Sequence, residues 1–145
     1  MMKINKAFKN VLSAGVLTIF IIIGGGSLDT DEGAEKIAVS TPDYVLTADT
    51  LFNAYDKNSV AADAKYEDKI VKVSGTVQSI GKDIMDTAYL VIGGSGFLDG
   101  VQCMLPRGQE GLVARVSKGQ YVTLKGKVSG QIMGNVIVNN CSFSN

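Results

Sequence analysis

Apolar and polar residues alternate along residues 69–77: Val71, Val73 and Val77 fall on one side and Lys72, Ser74 and Thr76 on the other, with Gly75 breaking the apolar row. Fifty-one positions later the pattern returns in Val122, Leu124, Gly126 and Val128, so both stretches read V-x-(V/L)-x-G-x-V. A period of two predicts a half-buried strand. A lone glycine inside such a strand marks a bulge, a sharp bend or a close backbone approach. Two long strands able to bend in the middle are what a small barrel needs to close.

Between and after these two strands the pattern predicts three more. One spans residues 87–92. A second spans 101–105, with Val101, Cys103 and Leu105 on one face and Pro106 as its stop. The last spans 135–143. The glycine-rich run 93–100 reads as a hairpin connection, because it carries no G-K-[ST] and precedes no helix, as a phosphate loop would. Residues 81–86 and 129–134 read as loops. Helical spacing appears at 47–55, where Thr47 is a candidate N-cap, Asp49 suits the positive first turn, and Leu51, Phe52 and Tyr55 form the stripe. Ser59 is a candidate cap for a second short helix, 60–66. A third, 109–118, has Leu112, Val113 and Val116 as its stripe and Gly119 as its end.

Composition narrows the chemistry. The chain of 145 residues has no histidine and no tryptophan, which removes the commonest general base and the commonest metal ligand. No G-x-S-x-G or cysteine–histidine pairing is present, so the sequence predicts no enzyme, and no cofactor or metal is expected. Acidic and basic residues balance at 14 each, but unevenly. Residues 29–65 hold eight acids against three lysines, while residues 66–145 hold eight basic groups against six acids. That is not the strongly basic surface expected of a domain held by a phosphate backbone. Cys103 and Cys141 lack metal-site spacing. They are a disulfide candidate in an oxidising compartment, or otherwise two buried thiols.

The first 26 residues combine Lys3, Lys6 and Lys9 with an uncharged apolar run, 11–23, and then Gly24, Gly25 and Gly26, with Ser27 next. This is the layout of a signal peptide, or of a minimal N-terminal membrane anchor. No cysteine follows the run, so a lipoprotein-type acceptor is missing. The charge asymmetry places the rest of the chain outside the cytoplasm, membrane-anchored or secreted. Residues 27–46, rich in acids, read as a flexible linker; residues 47–66 read as a helical lid, and residues 67–145 as the barrel.

The order strand, strand, strand, short helix, strand, strand, with the first and fourth strands longest, is that of a mainly β, five-stranded OB-fold-like Greek-key barrel, here with an N-terminal helical extension. Particular residues resemble the bacterial tRNA_anti-like OB-fold proteins, which are often exported or membrane-attached. They are Ala48 to Leu51 with Tyr55, Asn58 to Asp63 with Tyr66, Lys72 to Val77 with Ile80, Val101 to Cys103, Lys118 to Val122 with Gly126, and Cys141. The resemblance covers residues 47–145. It implies a non-catalytic binding module and, through the family name, nucleic acid as one class of ligand; fold alone does not fix which.

Two readings of the ligand follow. The loops after the first and fourth strands carry Ile84-Met85 and Ile132-Met133. If exposed, these pairs make an apolar lip for a protein or other envelope ligand; if the strands run on, they close the barrel ends instead. The alternative is single-stranded nucleic acid on the barrel face, with Lys72, Lys82, Arg107, Lys125 and Lys127 as the cations and Tyr89, with Tyr121 at the opening of its strand, as stacking platforms.

Overall fold

The computed structural model describes residues 26–94 and 99–145. The leader expected over residues 1–26 lies almost wholly outside them. Among the described residues no helix is long and apolar enough to cross a membrane. The elements are α1 (Gly26–Val39), β1 (Tyr44–Thr47), α2 (Ala48–Lys57), α3 (Ser59–Tyr66), β2 (Ile70–Lys82), β3 (Ala88–Ile92), β4 (Gly100–Met104), α4 (Glu110–Val113), β5 (Tyr121–Ile132) and β6 (Asn135–Phe143).

Six strands form one sheet in the order β1-β2-β3-β4-β6-β5, and a further pairing of β2 with β5 closes it. The closed ring is therefore β2-β3-β4-β6-β5, the OB-like barrel, with β1 added parallel to the first half of β2. The two repeated strands are direct neighbours: Val73 pairs with Leu124 and Gly75 with Val122. Val71, Val73, Leu124 and Val128 are wholly buried, so the alternation points as the sequence predicts. Leu90, Ile92, Val101, Cys103, Val136 and Val138 fill the same interior.

Within residues 27–46, expected as a flexible linker, fall most of α1 and most of β1. Asp43 fixes the entry to β1: its carboxylate accepts from the Ile70 amide at 2.9 Å while its own amide donates to the Ile70 carbonyl at 2.7 Å. Tyr44 then packs edge-on against Tyr66, with ring centroids 5.0 Å apart. Thr47 caps α2 as expected, accepting from the Thr50 amide. The cap of α3 is Asn58 rather than Ser59, because its longer side chain reaches the Ala61 amide at 3.1 Å. Leu51 and Tyr55 of α2, with Ala62 and Tyr66 of α3, belong to the same buried cluster as the strands.

Two further boundaries move. The helix expected over 109–118 is a single turn, after which the chain continues through tight turns to Gly119 at φ +90°. The loop expected over 129–134 is mostly strand. A register shift between Val128 and Gly130, with Gly130 at φ +109°, lets β5 run on to Ile132. The connection to β6 is then only Met133 and Gly134, both at positive φ (48° and 91°), the backbone of a tight hairpin turn whose twist suits the strands it joins.

Candidate binding surface

The β2–β3 connection is fixed by one side chain. The Asp83 carboxylate accepts from the Met85 amide at 2.8 Å and the Thr87 amide at 2.9 Å, and Lys82 pairs with Asp86 at 3.0 Å. With the backbone tied this way, Ile84 and Met85 project outward, 101% and 64% exposed. At the β5–β6 turn Ile132 and Met133 are 59% and 95% exposed. All four residues of the expected lip are therefore in solvent rather than closing the barrel ends. They do not form one continuous lip. Tyr89 pairs with Met104, so the β2–β3 tip adjoins the end of β4; Gly100 pairs with Asn135, so the β5–β6 tip adjoins its start. The two tips flank opposite ends of the five-residue strand β4.

The outward face between them is built by β3, β4 and β6. None of the residues in these strands carries a charge. Tyr89 lies across Gly81, where a Cβ would come within 2.8 Å of its hydroxyl. The Asn135 amide donates to Gln102 Oε1 at 3.3 Å, Gln102 Nε2 contacts Met104 Sδ at 3.2 Å, and Asn135 Oδ1 is buried without a partner. The face is neutral, with amide, thioether and phenol groups.

The nucleic-acid candidates divide. Lys72 and Lys125 face each other across β2 and β5, and each donates to a backbone carbonyl, of Asn145 and of Ser40. Lys127 lies 3.9 Å from Asp68 on the same wall. Lys82 is paired with Asp86. Lys82, Tyr89 and Arg107 gather at the other end, where the Leu105 amide binds the Ala88 carbonyl and brings the exposed Arg107 near the start of β3. The six residues do not make one groove.

Cys103 and Cys141 are both buried and both free thiols, so the structure contains no disulfide at this candidate pair. Cys141 Sγ donates to the Val138 carbonyl at 3.3 Å. Burial pushes the Cys141 thiol well above its ordinary range, and the neighbouring Cys103 thiol adds to the effect. The thiolate is the reactive form, and burial withholds it. A thiol reagent at pH 8 is expected to label neither cysteine in the folded protein and both after denaturation. Rapid labelling of the native chain would place one of them outside the core. Among the described residues no group of three or more histidine, cysteine or carboxylate side chains could hold a metal ion.

A tRNA_anti-like family model matches residues 6–142. The chain is also similar to a structure described as a "putative nucleic acid-binding lipoprotein" from Klebsiella pneumoniae subsp. pneumoniae. The TM-score is 0.53 at 19% identity, over 68% of this chain and 91% of that one. At that identity the likeness is one of fold. An OBody bound to hen egg-white lysozyme matches at TM-score 0.40 and 20% identity, over 57% of this chain and 91% of that one. The Entamoeba histolytica asparaginyl-tRNA synthetase, in complex with asparaginyl-adenylate, matches at TM-score 0.43 and 13% identity, over 68% of this chain and 22% of that one. No curated protein matches the sequence.

Proposed function

Since the chain belongs to the tRNA_anti-like family, we propose that it is a non-catalytic OB-fold binding module of the cell envelope that takes a protein or other envelope ligand between its two hairpin tips. The observation that carries this reading is the exposure of Ile84, Met85, Ile132 and Met133 at either end of an uncharged strand face. Exposed apolar side chains beside a neutral face favour a ligand that removes them from water. Flexible methionines fit them to a partner's relief. The extracytoplasmic setting rests on the basic and apolar leader of residues 1–26.

A second reading, single-stranded nucleic acid, has one observation in its favour: Tyr89 and Met104 are cross-strand partners, with Lys82 and Arg107 at the same end. The family name and the Klebsiella protein's description point the same way. Against it, the three face strands carry no cation, and four of the five basic candidates already hold a carboxylate or a backbone carbonyl.

The test is the full-length chain carrying Met85→Asp with Ile132→Asp. Both positions are exposed, so stability should stay within about 0.5 kcal/mol of the parent. Envelope partners crosslinked to the parent should be lost, while Arg107→Ala should retain them. A large fall in melting temperature would show that the tips are structural. Retention on single-stranded DNA that weakens steeply with salt and is lost in Arg107→Ala would favour the second reading.

A further inference from the structure

A second concavity, on a different wall of the barrel, is independent of the hairpin tips. It has a volume of about 170 Å³ and lies between the first turn of α2, the outward face of β2 and the start of β5. Two glycines create it. Gly93 sits at φ +70°, and a Cβ there would come within 2.6 Å of Ala48 Cβ and 2.9 Å of Asp49 Oδ1. A Cβ on Gly75 would meet Ala48 Cβ at 3.1 Å. Without side chains at these two positions, the start of α2 settles directly onto β2 and leaves the hollow beside it.

The lining has a specific chemistry. Asp49 Oδ1 accepts from the Gly94 amide at 2.6 Å, which fixes the carboxylate. Ser74 Oγ is hydrogen-bonded to Thr123 Oγ1 at 2.9 Å. Thr76 and Gln78 follow along β2, and Tyr121, 64% exposed, stands at the rim. Among the described residues no lysine or arginine lines the hollow, and Asp49 is the one charged group that does. Asp49 also occupies the positive first turn of α2, where an anion would otherwise be drawn. The site therefore disfavours phosphate and carboxylate ligands and suits a neutral one.

Size and donor pattern narrow the class. A sealed apolar cavity of about 150 Å³ takes benzene, so this open hollow of about 170 Å³ has room for one ring and not for several. A fixed carboxylate accepts two hydrogen bonds, an amide gives and takes them, and hydroxyls do either; this is the complement of neighbouring hydroxyl groups on a ring. An exposed tyrosine offers a flat apolar face with a negative π-cloud to the C–H side of such a ring. We propose that this hollow binds the ring of a neutral sugar, with Tyr121 as platform and Asp49 and Gln78 as the hydroxyl-reading groups.

The experiment uses the full-length chain and four probes, glucose, galactose, mannose and N-acetylglucosamine, with glucuronate as the charged control, followed by saturation-transfer NMR. At least one neutral sugar is expected to bind with a dissociation constant in the millimolar range, on the order of −4 kcal/mol. Tyr121→Ala and Gln78→Ala should each weaken it by about tenfold, the equivalent of about 1.4 kcal/mol, with the circular dichroism spectrum unchanged. Glucuronate should bind more weakly than glucose, and Asp49→Asn should narrow that gap. The proposal is overturned if none of the four sugars binds, if binding survives Tyr121→Ala, or if uridine and adenosine displace the sugar at equal concentration. None of these results bears on the hairpin tips, so the two readings fail separately.

Discussion

Replacing Gly126 with alanine should destabilise the protein by about 2 kcal/mol, whereas the same change at Gly75 should cost less than about 1 kcal/mol, although the two glycines hold matching positions in the repeated strands. A Cβ on Gly126 would lie 2.6 Å from Val138 Cγ1, 2.8 Å from the Asn139 carbonyl oxygen and 2.9 Å from Cys141 Sγ. One of these is backbone in the adjoining strand β6, so relief requires shifting the ladder and not merely turning a side chain. The ladder is already irregular there: β5 and β6 slip register between Lys125 and Lys127, and Asn140 takes φ +54°. At Gly75 the nearest atoms are Ala48 Cβ at 3.1 Å and the Gly93 amide nitrogen at 3.2 Å, a conflict that a few tenths of an ångström relieve. Overpacking costs about 1–3 kcal/mol, while alanine returns about 0.4–1 kcal/mol by stiffening the unfolded chain. The first effect therefore wins at Gly126, and the two nearly cancel at Gly75. Urea denaturation of both variants measures the difference. Equal losses would mean that the glycines serve the same role.

That contrast also marks how far the repeated pattern could be read. The alternation placed Val71, Val73, Val77, Leu124 and Val128 in the interior, because a period of two admits only two faces and only one is apolar. It also put a special backbone position at each glycine, but not which kind. Gly126 sits at a slip in register. The slip in β2 instead falls between Val77 and Ser79, leaving Gly75 to admit α2 and the Gly93 amide. Pairing partners far away in sequence decide this, and a single strand's pattern does not contain them.

The same limit explains the N-terminal segment. Tyr44–Thr47 is too short a strand for its alternation to stand out, and it is held by Asp43 binding Ile70, 27 positions on. Its acids resembled a solvated tether because the partner of Asp43 is a backbone group and leaves no mark in the sequence. At the candidate surface, the sequence leaves the two Ile-Met pairs either exposed or closing the barrel ends, and the folded chain exposes them. Their separation is not legible in the sequence, since it depends on the parallel register of β4 with β6. In the sequence the lysines stand as candidate cations for a phosphate backbone. Lys72 and Lys125 are instead spent on the carbonyls of Asn145 and Ser40, both reached only by the folded chain.

Tyr55 gives the largest expected effect. Its side chain is 1% exposed and sits in the cluster that includes Leu51, Val71 and Leu124, so Tyr55→Ala should cost about 3–5 kcal/mol. A loss below about 1 kcal/mol would mean that α2 and α3 lie on the barrel without being part of its core. Tyr55→Phe separates the ring from the hydroxyl. The hydroxyl is buried beside the Asp63 carboxylate, yet neither the Tyr55 hydroxyl oxygen nor Asp63 Oδ1 has a hydrogen bond of acceptable geometry. Removing it should therefore change stability by less than about 1 kcal/mol near neutral pH, since little net bonding is lost. Burial first, and Asp63 second, push the phenol well above its ordinary 10.0. The folded state thus holds the proton more tightly than the unfolded state. The resulting contribution is complete below pH 10 and is lost as pH climbs beyond it, because the unfolded chain then releases a proton that the folded chain retains. Stability of the parent should fall more steeply between pH 9 and pH 11 than that of Tyr55→Phe, as measured by urea midpoints at each pH. Parallel curves would show that the phenol titrates alike in both states.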